Sequence, residues 1–134
     1  MSDIWKLCRI GKRYEFSAAH WLPMVGLNHP CHRMHGHNYV IELEMRNEIA
    51  NDGFCGNVDF FQMDRLMQPI LAKLDHHTLN DVPGLENPTA ELIALWILRE
   101  YKIHYLFSVT VWETPDCWAQ VVQADGSFPR QHRE

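Results

Sequence analysis

Hydrophobic and polar positions change rhythm along the chain, and each change marks an element. Ile10 to Trp21 mixes β-branched, aromatic and small residues and predicts a strand. Leu22 to Pro30 carries two prolines and a glycine and predicts a loop. From His37, the run Asn38-Tyr39-Val40-Ile41-Glu42-Leu43-Glu44-Met45-Arg46 alternates apolar and polar residues, the period of a strand with one buried face. Asn51-Asp52-Gly53 then turns the chain. Apolar residues at Phe60, Met63, Leu66, Met67, Ile70, Leu71 and Leu74 fall at helical spacing behind a cap at or near Asp59, with Pro69 expected to kink or end that helix. Asn87-Pro88-Thr89-Ala90-Glu91 is a helix start, continued by Leu92, Ile93, Leu95, Trp96, Ile97 and Leu98. Tyr105 to Glu113 and Trp118 to Gln123 return to alternation around the turn Thr114-Pro115-Asp116. The order is ββααββ, which predicts an α+β domain with an antiparallel sheet.

Length and composition narrow this picture. The 134 residues suit one domain spanning 1–134, and 46% hydrophobic with 22% charged residues is an ordinary globular balance. An open four-stranded sheet in so short a chain leaves unpaired edges, so a closed homo-oligomer is expected. With 12 Lys+Arg against 17 Asp+Glu the net charge is −5, which argues against a broad nucleic-acid or anionic-membrane surface. No apolar stretch is long enough to cross a bilayer, and Met1 to Lys6 shows no basic region leading into an apolar run. Cys8, Cys31, Cys55 and Cys117 form no CxxC pair and read as free thiols, so the expected location is cytoplasmic.

Among nine histidines, His35-Gly36-His37 opens the second strand. Residues i and i+2 of a strand share a face, about 6.6 Å apart along it. Two imidazoles so placed can reach one ion at roughly 2.0–2.1 Å each. His20 ends the neighbouring strand and can bring a third nitrogen. Three neutral imidazoles suit zinc and leave a fourth position for water or substrate. An isolated HxH pair also occurs as surface decoration. His29 and His32 are expected to be loop residues without a metal role, and the cysteines lack the pairing of a zinc finger.

Phe16-Ser17-Ala18-Ala19-His20 followed by Cys31-x3-His35-Gly36-His37-Asn38-Tyr39 resembles the 6-pyruvoyl-tetrahydropterin synthase family, which includes bacterial 6-carboxy-tetrahydropterin synthases of queuosine biosynthesis. Val58-Asp59-Phe60, Leu74-Asp75-His76-His77-Thr78-Leu79-Asn80-Asp81, Glu86-Asn87-Pro88-Thr89-Ala90-Glu91 and Val111-Trp112-Glu113-Thr114 match in the same order. The resemblance implies a tunnelling fold (T-fold). In that fold ββααββ subunits with two helices on one sheet face join into a trimeric β-barrel, usually paired into a hexamer with sites at subunit interfaces.

Carried over by position, the resemblance makes His20, His35 and His37 the ligands of one Zn2+ per subunit. It makes Cys31 the catalytic thiol, Asp75 and His76 its partner dyad, and Glu113 the anchor of the pterin ring. Thr89 and Glu91 would lie near the pterin. Adjacent side chains rarely face each other, so which carboxylate orients His76 stays open. The compact Cys31-to-His35 gap resembles the bacterial pattern. The implied reaction is a zinc-dependent lyase reaction, converting 7,8-dihydroneopterin triphosphate to 6-carboxy-tetrahydropterin, acetaldehyde and triphosphate. Its alternatives are a pyruvoyl-forming or aldolase-like relative and a non-catalytic pterin- or zinc-binding protein. Trp21 stands where many relatives carry a basic residue; if that residue holds phosphate, Lys12, Arg13, Arg33 or another subunit must replace it.

Overall fold

Two long strands carry the alternation of the first half of the chain. In the computed structural model, which describes residues 6–101 and 106–123, β1 (Leu7–His20) and β2 (His35–Glu48) pair antiparallel from Leu7 against Glu48 to His20 against His35. β3 (Leu106–Thr114) adds to β2 and β4 (Cys117–Val122) to β3, giving an open sheet in the order β1-β2-β3-β4. Tyr105, the predicted start of the third strand, lies outside the described residues. Both strands begin earlier than predicted, β1 at Leu7 and β2 at His35.

The helices α1 (Phe60–Leu74) and α2 (Ala90–Glu100) cover one face of this sheet. Tyr39, Ile41, Leu43 and Met45 of β2 bury there against Met63, Met67, Ile70 and Leu74 of α1 and Ile93 and Ile97 of α2. A buried side chain of this size contributes about 1.5–3 kcal/mol. The opposite face is polar: Glu44 takes Arg9 and Arg46 (2.6 and 2.7 Å), and Glu42 takes Arg13 (3.3 Å).

Both helix starts follow from capping. Asp59 Oδ1 accepts from the Gln62 N–H (2.8 Å), and Thr89 Oγ1 from the Leu92 N–H (3.1 Å). Pro88 therefore precedes the cap of α2. Pro69 neither ends nor breaks α1, which continues to Leu74. It faces solvent, so water can meet the carbonyl it leaves without an N–H, while Ile70 and Leu74 bury the next turn.

After α1 the chain runs beside the end of β1. The His76 N–H donates to the Ser17 carbonyl (2.6 Å) and the Ala19 N–H to the His77 carbonyl (3.1 Å). Upstream, the outward backbone of Arg9, Gly11, Arg13 and Glu15 has no partner among the described residues. No helix among them is long and apolar enough to cross a membrane.

Candidate metal centre

Strand register brings the three predicted ligands together. His20 lies opposite His35, and Ala18 opposite His37, so the small Ala18 leaves room beside the second imidazole of the HxH pair. One ligand atom from each of His20, His35 and His37 lies within 4.8 Å of the others. Their ring centroids are 4.5 Å (His20–His35), 5.1 Å (His20–His37) and 5.0 Å (His35–His37) apart.

Two of the rings are held by carbonyls. Nδ1 of His20 lies 2.9 Å from the Pro88 oxygen, and Nδ1 of His35 lies 2.7 Å from the Arg33 oxygen. A carbonyl only accepts, so both Nδ1 atoms carry the proton and both Nε2 atoms keep a lone pair. Carbonyls that hold histidines in this way are the usual outer shell of a metal site. His20 is 1% exposed, and its Nε2 is buried without any hydrogen-bond partner. A buried lone pair left unmet is costly, and a cation among three imidazoles would satisfy it. Burial, then the neighbouring His35 and His37, pushes the His20 pKa down to about 4 against the favourable Pro88 contact. Burial also lowers His37, opposed by Glu113. The donor set therefore fits a borderline divalent metal such as zinc.

Cys31 and Glu113 converge on the same face. Cys31 is half-buried in a short 3-10 turn (Pro30–His32), where its N–H donates to His29 Nδ1 (3.0 Å) and its carbonyl accepts from Leu22 N–H (2.8 Å). Glu113 is close enough to bear electrostatically on His37 and Tyr39, and Cys31 on Tyr39. Tyr39 was no part of the sequence-level site. It is fully buried, stacks on Phe16 (4.7 Å, 7°), sets its ring against His20 and His37 (5.8 and 5.3 Å), and its hydroxyl has no partner. Its place two residues past the HxH pair, on the same strand face, was the available signal.

Asp75 and His76 occupy the edge of β1. Asp75 Oδ1 accepts from the Ser17 N–H (2.9 Å) and lies 3.0 Å from His76 Nδ1. Ser17, then His76, holds the Asp75 carboxyl below its usual range. The adjacent carboxylate is thus the one that orients His76. Neighbouring side chains meet here because His76 takes a left-handed backbone (φ 60°), fixed by its N–H on Ser17. Among the described residues, no hydrogen bond or ion pair joins this couple to Cys31.

Thr89 and Glu91 sit elsewhere. Thr89 caps α2, and Glu91 is exposed in its first turn. Their segment touches the metal centre through the backbone of Pro88, a contact side-chain reasoning does not reveal. Asn80 is a second such residue: its Oδ1 accepts from the Trp21 N–H (3.1 Å) and its Nδ2 donates to the Trp21 carbonyl (2.8 Å), fixing the chain just after His20. His29 and His32 lie at the Pro30–His32 turn, His32 edge-on to Trp21 (5.6 Å). Lys12 is held by Asp64 (2.6 Å) and Arg13 by Glu42 (3.3 Å), while Arg33 is exposed beside His35.

Residues 9–124 match the family model described as 6-pyruvoyl tetrahydropterin synthase. A 6-carboxy-5,6,7,8-tetrahydropterin synthase of Synechocystis sp. is 38% identical over 116 residues, covering 78% of this chain and 85% of that protein. A dihydroneopterin monophosphate aldolase of Pyrococcus furiosus is 34% identical over 94 residues, covering 70% and 75%. The solved structure of 6-pyruvoyl tetrahydropterin synthase from Caenorhabditis elegans superimposes with a TM-score of 0.80 at 25% identity, covering 88% of this chain and 96% of that one.

Proposed function

The chain belongs to the 6-pyruvoyl tetrahydropterin synthase family, and from that premise we propose that it is a zinc-dependent 6-carboxy-5,6,7,8-tetrahydropterin synthase. Its substrate is 7,8-dihydroneopterin triphosphate, and its products are 6-carboxy-tetrahydropterin, acetaldehyde and triphosphate. One observation carries the reading: three imidazoles converge, one with a buried lone pair and no partner, on the face that also holds Cys31 and Glu113. The carboxy-forming branch is supported by the Synechocystis relative and the compact Cys31-to-His35 spacing.

Zn2+ held by His20, His35 and His37 supplies Lewis acidity toward the hydroxyls of the substrate side chain. Glu113, a carboxylate on a half-buried strand position, accepts hydrogen bonds from the amino and ring N–H groups of the pterin. Cys31, as a thiolate beside that side chain, removes a carbon-bound proton. His76, oriented by Asp75, returns or relays the other proton. Thr89 uses an oxygen lone pair on the Leu92 N–H and keeps its O–H to donate toward the pterin, with Glu91 two residues on in the same turn. Arg33, exposed beside His35, takes the place of the missing basic residue at Trp21 toward the triphosphate.

Assembly completes the site. The free edges of β1 and β4 join between subunits into a trimeric barrel, paired as a hexamer, and His76 on the edge of β1 then faces a neighbour. The protein acts in the cytoplasm, in queuosine or a related pterin-derived pathway.

Likeness to the Pyrococcus aldolase supports a second reading, retro-aldol cleavage of the same side chain. Purified metal-loaded protein given dihydroneopterin triphosphate separates them. Acetaldehyde with free triphosphate is the expected result. A two-carbon aldehyde still carrying phosphate indicates the aldolase, and triphosphate without acetaldehyde a pyruvoyl-forming enzyme. Cys31→Ala should lower turnover by about 10²–10⁴-fold with metal content intact, and unchanged turnover would remove Cys31 as the base.

A further inference from the structure

At the far end of β1 from the metal centre, a second chemical feature stands apart from the site above. Cys8 lies twelve residues from His20 along the strand, about 40 Å at roughly 3.3 Å per residue. Its cross-strand partner is Asn47. After β2 the chain folds back through a tight loop with three left-handed residues, Gly53 (φ 90°), Gly56 (φ 58°) and Asn57 (φ 67°). The Gly56 N–H donates to the Glu48 carbonyl (2.9 Å), and a side chain at Gly56 would meet the Asn47 amide at 2.7 Å. This folding points Cys55 inward, where its Sγ lies 3.8 Å from the Cys8 carbonyl and 3.9 Å from the Asn47 carbonyl. The Cys8 thiol is itself within hydrogen-bonding reach of Cys55. Cys55 is 4% exposed and Cys8 half-buried.

A buried cysteine alone is an ordinary small hydrophobe. Two thiols held together by a strand and a specifically turned loop, far apart in sequence, are not explained by packing alone. We propose that Cys8 and Cys55 form a reversible dithiol–disulfide site, a modification site independent of the metal centre.

The oxidant is a small disulfide such as glutathione disulfide. The Cys8 thiolate, on the more accessible side, attacks one of its sulfurs; a Cys8–glutathione bond forms and one glutathione thiolate leaves. Cys55 gives its proton to solvent and attacks the Cys8 sulfur. The Cys8–Cys55 bond forms and the second glutathione leaves as thiolate. Two protein thiols are oxidised by two electrons, and one glutathione disulfide is reduced to two thiols. Burial and the Cys8 contact push the Cys55 thiol up to about 12, which suits it to the second, intramolecular step rather than the first. The bond would tie the start of β1 to the loop after β2.

The test equilibrates metal-loaded, full-length protein across a series of glutathione redox buffers, in native conditions and in urea. After alkylation, intact mass and non-reducing peptide maps are read. The expected outcome is loss of two hydrogens per chain, a peptide joining Cys8 to Cys55, and an effective concentration at least about tenfold higher than in urea. Zinc content should stay constant throughout. Cys55→Ser should stop at a Cys8–glutathione adduct, and Cys8→Ser should show neither adduct nor cross-link at Cys55. A cross-link no more favoured than in urea overturns the proposal. So does a wild-type protein in which Cys8 carries only glutathione, or a bond that maps to Cys31 or Cys117. If Cys55→Ser does not fold, the wild-type map and Cys8→Ser decide it.

Discussion

His20 shows how one residue serves both the fold and the site. It is a core residue by burial, yet its Nδ1 is engaged and its Nε2 is left for a metal. In metal-free protein its pKa is about 4 rather than 6.5, so between these values the unfolded chain binds more protons than the folded one. The stability it contributes is therefore fully present above about pH 6.5 and lost as pH falls toward 4. Urea midpoints of the metal-free protein should drop over that window, and a His20→Phe variant should drop less. Equal slopes would show that His20 does not titrate this way. His76 offers a complementary test, because its left-handed backbone disfavours any side chain. His76→Gly should fold with equal or greater stability, by up to about 1 kcal/mol, and lose turnover. A less stable variant would mean that the Asp75–His76 pair outweighs the backbone strain.

At the scale of elements, the caps and the segments after the helices decide where the chemistry goes. Thr89 starts α2, and starting it there brings the Pro88 carbonyl onto His20. Thr89→Ala should lower stability by about 1 kcal/mol and raise KM, with Thr89→Ser restoring both. A lower thermal midpoint with unchanged KM would leave Thr89 as a cap only and take it out of the pterin site. The stretch Asp75–Thr78 does similar service, pairing with the end of β1 so that His76 is fixed by backbone as well as by Asp75.

The described residues form an open four-stranded sheet with β1 and β4 at its edges. Ser17 and Ala19 of β1 are met by the chain's own Asp75–His77 segment, but the outward groups from Arg9 to Glu15 are not met by described residues. Such an edge pairs with another strand unless blocked. Because the Arg13 N–H points outward, proline there removes no bond inside the sheet. Sedimentation of Arg13→Pro should show smaller species than the wild type, with the secondary structure retained and turnover reduced. A wild-type protein that sediments as a monomer would remove the barrel from the proposal.

How much was legible beforehand depended on range. Residue types placed β1 and alternation placed β2 to within a few residues, because strand propensity and a period of two in a half-buried strand are local consequences of burial. The HxH spacing and the position of His20 pointed to the metal triad, since strand geometry alone puts His35 and His37 on one face. Pro69 does not end α1, because whether a helix continues past a proline depends on which side of it meets solvent, which only packing sets. Pro88 and Asn80 were invisible as site residues for a related reason. The first acts through its backbone and the second through a bidentate grip on a distant segment. The sequence by itself determined the elements and the types of donor, because periodicity and side-chain chemistry are local. Only the tertiary structure decided which lone pairs stay unmet and which carboxylate faces His76, because those depend on contacts between segments that sequence distance does not encode.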